Sequence, residues 1–282
     1  MNKLISILAL FCTATIAAQD YKPLKTEDII IIHKKNYDNQ YMRILKKDST
    51  SLASGYYKTP YENGIMSFYI APNGKLNNTS KLEIVNEGTM AIPFKNDIVD
   101  GTVTLHKNDK LIAQLIFIKG ILKISTSYDK QNRTEKYYVN GIQTGEKSFE
   151  GNVLVAEKNI VNSKSIEKQY KDGRLVSSFD EATDTTLHYD NRGTIIGSVV
   201  RSSNGDITEK EFDITGRVIM QKNVAAGNAN SVAKYFNSDG KLIKTEEGNA
   251  LTLTRKFYDT KGKVIKTESE DIPAEPTVDF GN

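Results

Sequence analysis

Three histidines and a recurring set of acidic residues are the side chains with the most obvious chemical potential in this 282-residue chain. His33, His106 and His188 lie far apart and show no His-x-His or Glu-x-x-His spacing, which metal-binding histidines commonly have. The many serines and aspartates form no Gly-x-Ser-x-Gly elbow and no phosphate-binding glycine loop. The sequence therefore predicts no catalytic residue, no cofactor-binding residue and no metal ligand.

Acidic residues recur at one position of a repeated motif, at Asp190, Asp213 and Asp259, and Asn237 holds that position in a further copy. A row of acids could bind cations. However, Asp or Asn at the first position of a type I turn accepts a hydrogen bond from its own backbone two residues on. Asparagine serves this purpose as well as aspartate, so we interpret the four residues as turn caps.

Each copy of the motif contains an aromatic residue, Asp or Asn, two variable residues and then glycine. Glycine tolerates positive φ, so the motif predicts a three-residue hairpin loop with a G1 bulge. The structural turn residues predicted in this way are Asp190, Gly193, Asp213, Gly216, Asn237, Gly240, Asp259 and Gly262. A variant after Tyr128 is expected to place Asn132 in the left-handed position. The pairs Asn140–Gly141 and Asp172–Gly173 predict two-residue type I′ turns.

The spacing of these turns predicts the fold class. Gly173, Gly193, Gly216, Gly240 and Gly262 are 20, 23, 24 and 22 residues apart. About 22 residues accommodate two short strands and two turns, because a strand rises ~3.3 Å per residue. We therefore expect an all-β protein, an elongated antiparallel β-meander built of ~22-residue hairpin repeats in which each hairpin contacts mainly its neighbours.

The chain divides into five predicted parts. These are a signal peptide at 1–18, an N-terminal capping region at 19–54, diverged repeats at 55–160, regular repeats at 161–270 and a flexible tail at 271–282. Within the capping region, Ile29–Ile32 are four consecutive β-branched residues, which predict a buried strand. The tail contains Pro273 and Pro276, which favour an extended or disordered segment.

The first 18 residues have the pattern of a secretory signal peptide. Lys3 precedes a largely apolar run at Leu4–Phe11, and the segment is shorter than a membrane span. An uncleaved anchor is the alternative. Cys12 could carry a lipid, but the residue before it is bulky where lipoprotein signals have a small one. We expect the mature protein to begin near Gln19 and to be periplasmic or secreted.

Composition restricts the possible partners. Cys12 is the only cysteine, so the mature chain has no disulfide or thiol ligand. Without Lys3, the 38 basic residues become 37 against 35 acidic residues, a net charge of +2. Such a balance gives no reason to expect binding to nucleic acid or to an anionic membrane. No later run approaches 18 apolar residues, so we expect no transmembrane segment after signal removal.

Short motifs in the chain resemble two repeat families. The segments that resemble MORN-variant repeats of the YwqK-type antitoxin-like family are Asn73–Leu76, Asp172–Leu175 and Asp239–Leu242. Those that resemble YD repeats of RHS-type proteins are Tyr189–Gly193, Phe212–Arg217 and Tyr258–Gly262. Together they span about residues 55–268. The first resemblance implies hairpin arrays that act by contact with partners, and the second implies a β-shell around a toxin.

These observations predict a non-enzymatic, exported binding or scaffold module of the bacterial envelope, whose partner is another protein or a cell-wall glycan. The alternative is an antitoxin or immunity-like protein that neutralises a partner toxin, as the family resemblance implies. A glycan-active enzyme with acids from separate repeats is a further alternative. Lysines within 241–244 and 263–266 could form a polyanion-binding face, although protection of sheet edges is the favoured interpretation.

Overall fold

The computed structural model describes residues 20–36, 39–227 and 230–272. These residues form 24 strands, nearly all paired antiparallel in chain order, and one short 3-10 helix at Thr26–Asp28. The predicted all-β antiparallel meander of hairpins is therefore confirmed. The predicted signal peptide lies outside the described residues. So does most of the predicted tail, of which Asp271 ends the last strand and Ile272 follows it.

The chain forms two compact units, divided between Ile121 and Leu122. The first unit contains strands β1 to β10, which are Lys22–Pro23, Ile29–Asn36, Asn39–Lys46, Gly55–Tyr61, Gly64–Ile70, Leu76–Ile84, Gly88–Lys95, Ile98–Val99, Gly101–Lys107 and Lys110–Ile118. This division separates two parts of the chain, each of which makes most of its contacts within itself. The predicted boundaries at 54/55 and 160/161 reflect how closely the repeats match in sequence, and they stay predictions.

The first unit combines a meander with a separate hairpin. Strands β4 to β7 pair in sequence, β7 pairs with both β8 and β9, and β9 pairs with β10. The hairpin of β2 and β3 joins them where Tyr41 pairs with Ile98. Asp97 fixes this junction, because its carbonyl accepts from the Met42 N–H at 2.8 Å and its carboxylate accepts from the Leu76 N–H at 2.7 Å.

This unit has a hydrophobic core. Alternate residues of neighbouring strands point to the same side of a sheet, and in β5 and β6 those residues are almost wholly inaccessible. The largest buried apolar side chains are Phe68, Ile44, Met66, Ile70 and Leu76. The packing of these side chains against one another stabilises the unit through removal of apolar surface from water.

The predicted buried strand at Ile29–Ile32 forms, as the beginning of β2, but its burial was predicted wrongly. Ile29 is buried, whereas Ile30 and Ile32 are 37% and 39% exposed. Successive side chains of a strand point to opposite faces, and a two-stranded hairpin packs only one of its faces on the core. Four consecutive β-branched residues therefore do not require burial on both faces.

The second unit begins at Leu122, the second residue of β11, and contains the rest of β11 and strands β12 to β24. Strands β11 to β24 are Ile121–Asp129, Asn132–Val139, Ile142–Glu150, Val153–Val161, Lys164–Lys171, Arg174–Asp180, Thr185–Tyr189, Ile195–Arg201, Ile207–Phe212, Val218–Val224, Ser231–Phe236, Leu242–Gly248, Thr252–Tyr258 and Val264–Asp271. Strands β12 to β23 each pair antiparallel with the strands before and after them in sequence, β11 pairs with β12, and β24 pairs with β23.

The second unit has few buried apolar side chains. Among its described residues, Leu122 and Ala233 are the buried hydrophobic side chains. The other buried side chains are the small polar ones Thr126, Ser165, Ser198 and Thr245. Most aromatic and aliphatic residues of this unit are half-buried, so neighbouring strands rather than a second layer supply their packing.

Candidate binding faces of the second unit

The predicted turn residues close the hairpin loops in the way the motif requires. The Asp190 carboxylate accepts hydrogen bonds from the N–H groups of Arg192 at 2.8 Å and Thr194 at 2.9 Å. Gly193, with φ of 82°, donates its N–H to the Asp190 carbonyl at 3.1 Å. The same bonds recur in the loops that contain Asp213, Gly216, Asn237, Gly240, Asp259 and Gly262.

The carboxylates of these loops are engaged by their own backbone. Hydrogen bonds from the Thr194 and Arg192 N–H groups lower the pKa of Asp190. The hydroxyl of Thr215, followed by the Arg217 N–H, lowers the pKa of Asp213. Because oxygens in these loops already accept backbone hydrogen bonds, the geometry agrees with a turn-capping role.

The shorter turns agree with prediction at two sites and differ at one. Both residues of Asn140–Gly141 and of Asp172–Gly173 have positive φ, as a type I′ turn requires. The prediction for Asn132 is wrong. Asp129 pairs directly with Asn132, so the loop is the two-residue segment 130–131, and Lys130 has the positive φ of 56°. The observed loop is one residue shorter than the predicted three-residue loop, and its first residue, Lys130, takes the left-handed conformation instead of Asn132.

The motif aromatics form a row on one face of the second unit. Antiparallel strands alternate in direction, so the loops after β17, β19, β21 and β23 lie at the same end of their strands. The aromatic before each loop pairs across its hairpin with an aliphatic residue. These pairs are Tyr189 with Ile195, Phe212 with Val218, Phe236 with Leu242 and Tyr258 with Val264. Each aromatic ring is half-buried, so one side of the row is open to solvent.

A row of lysines runs beside the aromatic row. Lys210, Lys234 and Lys256 each lie two residues before a motif aromatic, and residues two apart in a strand share a face. In register between them lie the neutral side chains Gln221 and Thr245. Because the lysines occur on every second strand, successive ones are about 9.5 Å apart. We call Lys210, Phe212, Lys234, Phe236, Lys256 and Tyr258 the lysine face.

Two of these lysines carry uncompensated charge. In the part of the chain that the structure describes, neither Lys210 nor Lys234 has a carboxylate within 4.0 Å. Lys256 contacts Glu247 at 3.1 Å. An open groove on this face is lined by Arg217, Val218, Gln221, Phe236, Asp239 and Gly240, so that it contains one cation and one carboxylate. The lysine face thus combines apolar ring surface with cations and hydrogen-bond donors.

The opposite face of the same strands is electrostatically satisfied. The Lys244 ammonium lies 3.8 Å from the centre of the Tyr235 ring and 3.0 Å from Glu246. Arg255 contacts Glu246 at 3.2 Å and Glu270 at 2.8 Å. We call Tyr235, Lys244, Glu246, Arg255 and Glu270 the paired face.

The pKa shifts on the paired face reflect these contacts. Burial, together with the hydrogen bond that the Tyr235 hydroxyl donates to Glu246 at 2.7 Å, raises the pKa of Tyr235 to about 12. Burial alone would raise the pKa of Glu246, but the bonds from Tyr235, Lys244 and Arg255 outweigh it and lower that pKa. The charges on this face therefore interact with one another, whereas Lys210 and Lys234 on the lysine face have no carboxylate within 4.0 Å among the described residues.

The lysines that the sequence singled out do not form the lysine face. Lys244 and Lys266 lie on the paired face, over the rings of Tyr235 and Phe257. The sequence analysis did not single out Lys210, Lys234 and Lys256, although a sequence pattern marks them. The pattern lysine, any residue, aromatic recurs at 147–149, 168–170, 210–212, 234–236 and 256–258.

The three histidines lie on separate strands. His33 is in β2, where its ring makes an edge contact with Tyr61 at 6.4 Å, His106 is in β9 and His188 is in β17. Across residues 20–36, 39–227 and 230–272, the structure contains no group of three His, Cys, Asp or Glu side chains placed to hold a metal ion. Within those same ranges, no helix has the length and apolar character needed to cross a membrane.

Comparison with known proteins gives no family assignment. No family model and no curated protein matches the chain. Among solved structures, the chain is similar to one titled "Crystal Structure of TcdB2-TccC3", with a TM-score of 0.17 and 10% sequence identity. The match covers 81% of this chain and 17% of that chain, so this chain spans about a sixth of its length. The resemblances to MORN-variant and YD repeats therefore stay predictions.

Proposed function

We propose that this protein is a non-enzymatic binding module of the bacterial envelope and that its lysine face holds a linear acidic glycan. The observation that carries the proposal is the placement of two parallel rows, one of lysines and one of aromatic rings, on a single face. The predicted signal peptide motivates the location in the envelope.

The chemistry of the face suits a polymer that is both anionic and ring-shaped. Lys210 and Lys234 lack carboxylate partners within the described residues, so they supply attraction for a negative charge. Beside them, the half-exposed rings of Phe212 and Phe236 offer flat apolar surface to the C–H faces of sugars. Because both rows repeat about every 9.5 Å across the strands, an extended chain that crosses the strands meets the same pair of groups several times.

Repetition explains how modest contacts could give useful affinity. Each exposed ion pair contributes only ~0–1 kcal/mol, and a single half-buried ring adds a similar small amount. Several equivalent contacts on one polymer act together, since the first contact raises the effective concentration of the next. We therefore expect affinity to rise with the length of the glycan up to the width of the lysine face.

Titration calorimetry with polygalacturonate, a linear acidic glycan, tests the proposal. The charge variant is Lys210→Gln with Lys234→Gln and Lys256→Gln, and the ring variant is Phe212→Leu with Phe236→Leu. We expect wild type to bind polygalacturonate but not neutral dextran, and each variant to lose at least tenfold in affinity. The matched control is Lys241→Gln with Lys261→Gln and Lys263→Gln, which changes the net charge equally in the loops.

Three outcomes would contradict the proposal. One is the absence of saturable binding to polygalacturonate. A second is equal loss of affinity in the control variant, which would indicate an effect of net charge alone. The third is binding of polyglutamate or of a DNA oligonucleotide as tight as that of the glycan, which would remove the role of the sugar ring.

A protein partner is the second candidate, and the free edge of β24 favours it. In the described residues β24 pairs with β23 alone, and its side chains are mostly exposed. The Ile272 N–H donates to the Leu251 carbonyl at 2.7 Å, so the N–H groups of Thr267 and Ser269 point away from β23. Such an edge can accept an added strand, and an antitoxin-like function would belong to this class.

The edge can be tested without disturbing the lysine face. Ser269→Pro removes an N–H that points outward, so we expect a stable protein that no longer pairs with a strand. If this variant loses a protein partner captured from envelope extract and still binds polygalacturonate as wild type does, the two sites are separate. Retention of the protein partner by the variant would rule out strand addition at β24.

A further inference from the structure

The groove on the lysine face contains a carboxylate, that of Asp239, which attraction of a polyanion does not explain. The groove has a volume of about 620 Å³ and is open to solvent. Ligand pockets commonly measure ~300–1,000 Å³, so a sugar ring fits, and a polymer can continue past it. An acid at this position repels a polyanion. A face that recognised negative charge alone would bind better without Asp239.

The Asp239 side chain does not close its own loop. Asn237 caps that loop, because its side-chain oxygen accepts hydrogen bonds from the N–H groups of Asp239 at 3.0 Å and Lys241 at 2.9 Å. Within the residues that the structure describes, the Asp239 carboxylate has no hydrogen-bond donor and no cation in contact with it. Its oxygens are therefore available to a ligand.

The acid is specific to this loop. The equivalent third residues of the other three motif loops are Arg192, Thr215 and Lys261. In the loops that begin at Asp213 and Asp259, the carboxylate accepts backbone hydrogen bonds. The repeat itself thus does not require an acid at the third position, and a polymer that crosses the strands meets this carboxylate once.

The other polar groups of the groove complement Asp239. The Arg217 guanidinium donates a hydrogen bond to the Ser238 carbonyl of the neighbouring loop, which holds the side chain at the groove. A guanidinium has five N–H donors, so others remain for a ligand carboxylate. Gln221 carries both a donor and an acceptor, and the Phe236 ring is half-buried. The groove therefore combines a cation, an anionic acceptor, an amide and an aromatic surface.

We propose that this groove is the subsite that binds one acidic sugar residue of the glycan and distinguishes it from other polyanions. The inference rests on the proposed function. The sugar ring packs on Phe236, its carboxylate accepts hydrogen bonds from Arg217, and its hydroxyls bond Asp239 and Gln221. An ionised carboxylate is a strong acceptor for a hydroxyl group. A polyanion without hydroxyls leaves Asp239 unpaired and is repelled by it, so Asp239 determines specificity.

Titration calorimetry of the full chain with polygalacturonate and polyglutamate at low ionic strength tests the subsite, because the two explanations predict opposite signs for Asp239→Ala. We expect this variant to bind polygalacturonate about tenfold more weakly, since a hydrogen bond to a charged group is lost. It should bind polyglutamate about twofold more tightly, since a repulsive charge is removed. Gln221→Leu changes no charge and should weaken polygalacturonate binding about threefold and leave polyglutamate binding unchanged.

The matched control is Glu150→Ala, which makes the same change of charge at an exposed end of β13 and should alter neither affinity by more than twofold. Tighter or unchanged binding of polygalacturonate by Asp239→Ala overturns the subsite, and it leaves the lysine face as a site for negative charge. Equal weakening of both polymers by Gln221→Leu also overturns the subsite. Absence of saturable polygalacturonate binding by wild type overturns the proposed function itself, and the subsite with it.

Discussion

The two units use the same antiparallel hairpins but are stabilised differently. In the first unit, Phe68, Ile70 and Leu76 are at most 1% exposed and belong to a hydrophobic core. In the second unit, Leu122 and Ala233 are the buried hydrophobic side chains among the described residues, and each strand pairs with its sequence neighbours. A unit with a hydrophobic core owes much of its stability to a few buried side chains, whereas an array of hairpins owes it to contacts spread over many strands.

The difference in packing also determines which side chains of each unit can contact a partner. A covered sheet face is occupied by packing and leaves few side chains for contact with a partner. An uncovered face presents its side chains to solvent along many strands. The second unit can therefore expose both the paired face and the lysine face, because neither face is needed to cover a hydrophobic core.

The largest expected effect comes from the core of the first unit. Phe68→Ala should reduce its free energy of unfolding by about 3–5 kcal/mol, the usual cost when a buried phenylalanine is truncated. Phe236→Ala, on a half-buried ring of the second unit, should cost clearly less. Denaturant unfolding followed by amide NMR signals of each unit measures both. Equal losses for the two substitutions would show that a buried core does not distinguish the first unit from the second.

The next effect concerns the buried turn that joins three strands of the first unit. Asp97→Ala removes the carboxylate that accepts from the Leu76 N–H, and it leaves that buried donor unsatisfied. We expect a loss of about 1–3 kcal/mol, typical of an unpaired buried group. Asp48→Ala is the control, because that carboxylate bonds an exposed loop. A loss as large in the control as in Asp97→Ala would show that the junction has no special role.

A loop glycine of the second unit should have a local effect. Gly240 has φ of 74°, and a Cβ atom added to it would meet no atom within 4 Å. Gly240→Val therefore introduces backbone strain without a clash, at a cost of about 1–3 kcal/mol. Hydrogen exchange should show faster opening of β21 and β22 and little change in β11 and β12. Uniform acceleration across the unit would contradict distributed stability.

The smallest expected effect is a loss of stability of the Asp213 loop at low pH. The pKa of Asp213 in the folded chain lies below its ordinary value of 3.8, because its carboxylate accepts hydrogen bonds from Thr215 and Arg217. Its stabilising contribution is therefore fully present above that value and is lost as the pH falls through the lower, folded pKa. NMR titration of the Thr215 and Arg217 amides should follow this carboxylate. Asp213→Asn keeps the turn cap and should abolish the titration, whereas an unchanged midpoint would rule out Asp213 as its source.

The sequence predicted the features that depend on local chemistry. Asp190 and Gly193 define their own loop, because the hydrogen bonds and the positive φ involve residues at most four apart. Asn132 was misplaced, since a hairpin can lose one loop residue without any change in its composition. Burial of Ile30 and exposure of Lys234 depend on what covers each face, and a periodic pattern does not state that. An apolar pocket of the first unit is lined by residues from several strands, among them Met42, Phe94 and Phe117, an arrangement that only the folded chain displays.

Native-state hydrogen exchange in low denaturant distinguishes a first unit stabilised by a hydrophobic core from a second unit stabilised by strand pairing. We expect the amides of β5 and β6 to share the highest protection and to exchange through one cooperative opening. Protection among the strands from β17 to β24 should be lower and graded, with the least protection in β24. A single opening of equal free energy for both sets of amides would show that the two units are stabilised in the same way.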